Sequence, residues 1–120
     1  MVIICPSNPI VSIGTILSIK GIRDALRRTT ANKVGISPII AGLPVKGPAD
    51  KLMLGLGLEV SAFSVADLYS DFLDTFVIDS ADAHSKVRIE KNLKIKVKVT
   101  NTLMKKLEDK ICLAKKVIEN

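Results

Sequence analysis

Short continuous apolar runs alternate along the chain with stretches of helical period, and that rhythm predicts an α/β fold with a mainly parallel sheet flanked by helices. Val2 to Cys5 is an apolar run ended by Pro6, as expected of a strand buried on both faces. Lys33 to Ile40 reads as a second strand whose regular pairing stops near Pro38. Leu58 to Phe63, Thr75 to Asp79 and Lys94 to Val99 are the third, fourth and fifth. In the last of these Ile95, Val97 and Val99 alternate with Lys94, Lys96 and Lys98, which predicts an apolar face turned inward and lysines turned to water, where they discourage edge pairing.

Helices are expected between the strands. Gly21 to Thr29 places Ile22, Ala25 and Leu26 on one face and arginines in the last turn, where the helix dipole favours cations. Whether this helix starts earlier, near Ser12, the pattern leaves open. Pro48 suits the first turn of a helix to about Leu54, with Gly55 and Gly57 as its exit. Ser64 and Asp67 have the spacing of a capping box before a helix from Val65 to Phe72. The last helix is predicted to carry a stripe of Leu103, Leu107, Ile111, Ala114 and Ile118 against the sheet. The aromatics Phe63, Tyr69, Phe72 and Phe76 fall in one region; a flavin-stacking platform would use them, but core packing is the simpler reading.

The chain has 120 residues, 48% hydrophobic and 25% charged, enough for one packed domain and against disorder. No apolar run reaches the roughly 20 residues that span a bilayer, and the first residues lack the regions of a signal peptide, so a cytoplasmic protein without a membrane partner is expected. Cys5 and Cys112 lie far apart and His84 is the single histidine; reduced, structural thiols and no metal cluster are the expectation. The net charge of +6 is concentrated late: residues 1 to 85 carry seven Lys/Arg against eight Asp/Glu, and 86 to 120 carry eleven against four. With no aromatic RNA-binding motif beside those lysines, a solvated face is expected rather than a nucleic-acid site.

In open parallel sheets, ligands bind beyond the carboxyl ends of the strands. Pro6-Ser7-Asn8-Pro9 follows the first strand; Ser7 and Asn8 can donate to a phosphate, although a plain tight turn uses the same residue types. Residues 42 to 51 form a glycine-rich loop and helix start with Lys46 and Lys51 as cations. Asp79 and Asp82 would hold Mg²⁺ through water, or else cap a helix, the simpler alternative. No catalytic triad is recognisable, and catalytic residues are not identified.

The run from Pro6 to Leu17 followed by Gly21-Ile22-Arg23, with Ser37 to Ile40, Gly47 to Met53, Val60 to Leu73 and Asn101 to Met104, closely resembles the C-terminal half of the 2-phospho-L-lactate transferase family. The resemblance covers essentially the whole chain. It implies a Rossmann-like fold, residues 1 to 120 being the C-terminal part of a single α/β domain. It also implies a Mg²⁺-dependent reaction in coenzyme F420 biosynthesis, in which a phospholactyl-type group passes from a guanosine diphosphate adduct to the deazaflavin FO with release of GMP. Ser7, Asn8 and Ser12 match the family's turn and, with Lys51, are the expected phosphate-binding residues. The family's upstream strand, glycine-rich turn and residues for FO and metal have no counterpart here, so an inactive fragment is expected, with an N-terminal half on another chain and a homodimer in full-length members. Lys105 stands where an acidic residue is expected. The rival reading is a non-catalytic nucleotide-sugar-binding regulator of the same superfamily, which the Ser-Asn-Pro and Gly-Pro-Ala-Asp-Lys motifs disfavour.

Overall fold

A computed structural model describes residues 1–119. Four parallel strands form one sheet: β1 (Val2–Ile4), β2 (Lys33–Ile36), β5 (Thr75–Asp79) and β6 (Lys96–Thr100), in the order β1-β2-β5-β6. Between β2 and β5, β3 (Ile39–Ile40) and β4 (Leu43–Pro44) make a small antiparallel hairpin. Its two-residue turn, Ala41-Gly42, has positive φ at both positions (50° and 79°), as a hairpin twisted like its strands requires. Pro38 separates this hairpin from β2, so the predicted interruption of pairing is observed.

One side of the sheet carries α1 (Ile13–Ser18), α2 (Ile22–Arg28), α3 (Ala49–Gly55), α4 (Ala62–Leu68) and α5 (Lys86–Leu93), which share a large core. Met53, Val65, Phe76, Ile78 and Ile89 are fully buried in it. The other side has α6 (Leu107–Ile118) alone, packing Leu113 and Val117 on Val34, Ile36 and Val77. Among the described residues no helix is long and apolar enough to cross a membrane.

Several local expectations are corrected. Leu58 to Phe63 is not a strand: Gly57 turns the chain with φ +74°, and Ser61 accepts the Ser64 N–H at 3.2 Å to cap α4. The cap thus lies three residues before the predicted Ser64, which is buried inside the helix. A break at Ile19 to Gly21, with Gly21 at φ +91°, separates α1 from α2. Ile22 and Leu26 of α2 pack on the core while Ala25 remains exposed.

In α6 the predicted stripe faces outward. Leu107, Ile111 and Ile118 are 67%, 45% and 58% exposed, and the buried pair is Leu113 and Val117. Lys98 does not simply point to water; its ammonium donates to the Lys116 carbonyl at 2.9 Å and to the Glu119 carbonyl, fastening β6 to the end of α6. Val99 is 37% exposed, whereas Ile95 and Val97 are buried as predicted. Cys5 and Cys112 are free, exposed thiols and contribute no packing. The aromatics serve the core: Tyr69, Phe72 and Phe76 are buried, and Phe63 lies under the Arg88 guanidinium at 3.8 Å.

Candidate functional site

The chain leaves β1 through Pro6-Ser7-Asn8-Pro9, and Asn8 organises this turn. Its Oδ1 accepts the N–H groups of Ile10 at 2.9 Å and Val11 at 3.2 Å; its main-chain carbonyl accepts those of Ser12 at 3.2 Å and Ile13 at 3.0 Å. The carboxamide oxygen is thereby engaged, and the amide NH₂ is the end of Asn8 left to donate. Gly14 lets α1 sit against the turn, since a Cβ there would lie 2.8 Å from the Pro9 carbonyl oxygen.

Ser37 follows β2 at the same end of the sheet. Its N–H donates to the Val77 carbonyl at 2.9 Å, and its buried hydroxyl accepts the Ile39 N–H at 3.2 Å and donates to the Ile39 carbonyl at 3.0 Å. Thr102 follows β6 and is held by Asp79 at the end of β5: Asp79 Oδ2 accepts the Thr102 N–H at 2.8 Å and the Thr102 hydroxyl at 3.1 Å. Asp79 Oδ1 accepts the Ala81 N–H at 2.9 Å, capping the 3₁₀ turn Ser80–Ser85. Burial on its own raises the Asp79 carboxyl, yet the hydrogen bonds from Ala81 and from both donors of Thr102 outweigh it and hold the group below its ordinary value.

These turns enclose a cavity of about 150 Å³ whose wall includes Ser7, Asn8, Ser37, Lys46 and Thr102. Ser7, Asn8 and Lys46 are the donors this wall offers to an oxygen-rich anion. The Ser37 and Thr102 hydroxyls give their protons to the Ile39 carbonyl and to Asp79, and Pro6, Pro38, Val45, Ala49 and Met104 make the rest of the wall apolar. The volume is below the roughly 300 Å³ of a complete small-molecule pocket, so the cavity suits one end of a ligand.

Of the predicted residues, the fold brings Ser7 and Asn8 to this wall. Ser12 is exposed at the start of α1, where its side chain makes no capping bond, and it does not line the cavity. Lys51 is exposed on α3 and also lies off the wall; the lining cation is Lys46, five residues earlier. Ser37 and Thr102 were not singled out as ligands. The rule that ligands sit beyond strand ends would have found them, because each lies one or two residues past β2 or β6.

The two carboxylates considered for Mg²⁺ face apart. Asp79 holds Thr102, while Asp82 is buried and accepts the Ala41 N–H at 3.2 and 3.1 Å on its two oxygens. The cavity wall has no carboxylate, and among the described residues no three His, Cys, Asp or Glu side chains cluster as metal ligands. These donors do not fit a protein-held Mg²⁺.

The family profile described as 2-phospho-L-lactate transferase CofD matches residues 1–117. The chain is 45% identical over 115 residues to the 2-phospho-L-lactate transferase of Methanothermobacter thermautotrophicus, covering 96% of this chain and 37% of that protein. It is 45% identical over 119 residues to that of Methanocaldococcus jannaschii, covering 99% and 36%. For the Methanosarcina barkeri enzyme the figures are 46% over 117 residues, 98% and 37%. The chain thus spans little more than a third of the length of these curated relatives.

Proposed function

The chain belongs to the 2-phospho-L-lactate transferase family, and we propose that it builds the phosphate-binding end of that enzyme's donor site. The observation that supports this most directly is the convergence of Ser7, Asn8, Ser37, Lys46 and Thr102 on one cavity beyond the ends of three parallel strands. In this reading the cavity takes the phosphates of a guanosine diphosphate adduct. A phospholactyl-type group passes from the adduct to FO, and GMP leaves.

Phosphoryl transfer depends on positioning and charge stabilisation more than on covalent help. Lys46 neutralises developing charge, the Asn8 amide and the Ser7 hydroxyl orient the phosphate oxygens, and Asp79 keeps Thr102 in place without touching the ligand. Ser12 and Lys51 lie outside the wall. The FO site and any Mg²⁺ ligands belong to the two thirds of the family polypeptide that this chain does not span, so the chain alone is expected to release no GMP from donor and FO.

The test is calorimetric titration of the purified chain with guanosine diphosphate. Asn8→Asp keeps the oxygen that organises the turn and replaces the amide donor with a negative charge. It should weaken binding by about tenfold or more, on the scale of a lost hydrogen bond to a charged group. Lys46→Ala should do likewise, while Lys51→Ala should change affinity by less than about twofold, as an exposed charge does. Parental affinity in both Asn8→Asp and Lys46→Ala would remove the assignment.

A further inference from the structure

Lys46 reaches the cavity from a segment that packing does not hold. Ile39 and Ala49 are buried, but no residue from 40 to 48 is, and Leu43 and Val45 are 64% and 51% exposed. Hydrogen bonds do the holding instead. At the base of the hairpin the Val45 N–H donates to the Pro38 carbonyl at 3.1 Å, and the Ser37 hydroxyl bonds both main-chain groups of Ile39. At the tip the Ala41 N–H donates to the Asp82 carboxylate, 3.2 and 3.1 Å from its two oxygens. Among the described residues, Asp82 is the one side chain of another element that hydrogen-bonds to residues 40 to 48. Ala41 stands at φ +50°, a left-handed conformation that an alanine keeps only when its surroundings impose it. Just past Lys46, Gly47 turns at φ +81° with no atom within 4 Å of where a Cβ would lie, an open joint on the far side of the cation.

Asp82 is 5% exposed and belongs to the 3₁₀ turn that follows β5, which contributes no residue to the cavity wall. Two carboxylates of this turn and its cap nevertheless govern two sides of that wall. Asp79 holds Thr102 on one side, and Asp82 holds the hairpin that runs on to Val45 and Lys46 on the other. We propose that Asp82 is a positioning residue of the phosphate site: by clamping the hairpin tip it fixes the line along which Lys46 enters the cavity, and it touches no ligand. The inference rests on the phosphate reading of the cavity and adds to it a residue that acts only through Lys46. It predicts an effect opposite in sign to that of charge alone. Removing a carboxylate near an anion site favours the anion, whereas releasing the tip lets the hairpin swing about its base and carries Lys46 off its line. The fold itself loses little, because Ala41 is exposed and water takes the place of the carboxylate on its N–H.

The experiment titrates the purified 120-residue chain with guanosine diphosphate in a calorimeter, in a cycle of variants. Asp82→Ala should weaken binding by about fivefold, within the range of residues coupled through a shared segment. Asp82→Asn keeps an oxygen at the same reach for the Ala41 N–H and should bind within about twofold of the parent. Asp82→Glu keeps the charge on a longer stem, displaces the tip and should weaken binding as alanine does. The double variant Asp82→Ala, Lys46→Ala should bind no more weakly than Lys46→Ala, because no cation is left to misplace. Circular dichroism at the titration temperature checks the fold of each variant, and the contrast between Asp82→Asn and Asp82→Glu carries the test if Asp82→Ala unfolds. Parental or tighter binding by Asp82→Ala and Asp82→Glu, with Lys46→Ala weakened, would overturn this inference and leave the phosphate reading standing. So would additive losses in the double variant, or a loss in Asp82→Asn equal to that in Asp82→Ala. Parental affinity in Lys46→Ala would remove the part of Lys46 in the phosphate reading, and this inference with it.

Discussion

The two faces of the sheet differ in how they are held. On the side of α1 to α5, sixteen buried apolar residues form one cluster; on the side of α6 the cluster has five, and polar fastenings take over. Lys98 reaches across to carbonyls at the end of α6, and Asp79 ties down the segment leading to it through Thr102. The deep face carries stability. The shallow face positions α6.

Substitutions can test how far that division goes, and the largest effect should come from the deep face. Phe76→Ala, at a residue fully buried beneath the helices, should cost about 3–5 kcal/mol and leave little folded protein at 37 °C, read by urea unfolding. Val117→Ala removes a buried side chain on the shallow face, where α6 can settle toward the sheet. A loss of about 1–2 kcal/mol is expected, and a loss equal to that of Phe76→Ala would erase the distinction between the faces.

The third test uses pH. Because the folded Asp79 carboxyl titrates below its ordinary value, the unfolded chain binds its proton first as pH falls. The stabilisation Asp79 supplies is therefore complete above the ordinary carboxylate range and is lost as pH drops through the lower folded value. Thermal melts of the parent should decline over that acid window, and Asp79→Asn should flatten the decline. Asp74, also lowered although burial opposes the shift, through its bonds with Lys33, contributes in the same direction and remains in the variant as a background. The smallest effect is expected at Leu107→Ser: the side chain is 67% exposed, and stability should move by no more than about 0.5 kcal/mol.

The deep face was also the more legible one. Strands β2 and β5 are buried along their whole length and β1 in part, Ile3 being 43% exposed. All three read as mainly apolar runs, so β1 and β5 fall within a residue of the prediction, while β2 ends at Ile36, four residues before the predicted Ile40. The strand predicted at Leu58 to Phe63 does not form: Glu59 and Ser61 interrupt its apolar residues, which serve a loop and the start of α4, and the deciding signal, Ser61 three residues before Ser64, repeats the pattern assigned one turn later. In α6, apolar residues occur nearly all round the helix, and sequence periodicity selected the stripe Leu107, Ile111 and Ile118 over Leu113 and Val117. Only one narrow line of contact meets the sheet, so the wider stripe was the misleading one. At the site, Ser7 and Asn8 were readable because a single turn holds both. Lys46 was readable as a loop cation, whereas Ser37 and Thr102 come from two separate segments joined by strand register, a relation that spacing along the chain does not carry.

The strand order has a consequence for the newborn chain. β2 pairs with β1, β5 with β2, and β6 with β5, so each strand that enters the sheet finds its template already synthesised. A polypeptide leaving the ribosome at about 5–20 residues per second can extend this sheet in one direction, without holding a bare strand in wait for a partner not yet translated. Non-local parallel pairing is ordinarily slow and exposed to aggregation. Here each strand after β1 pairs on arrival, so along this run the exposure falls mainly on the newest strand.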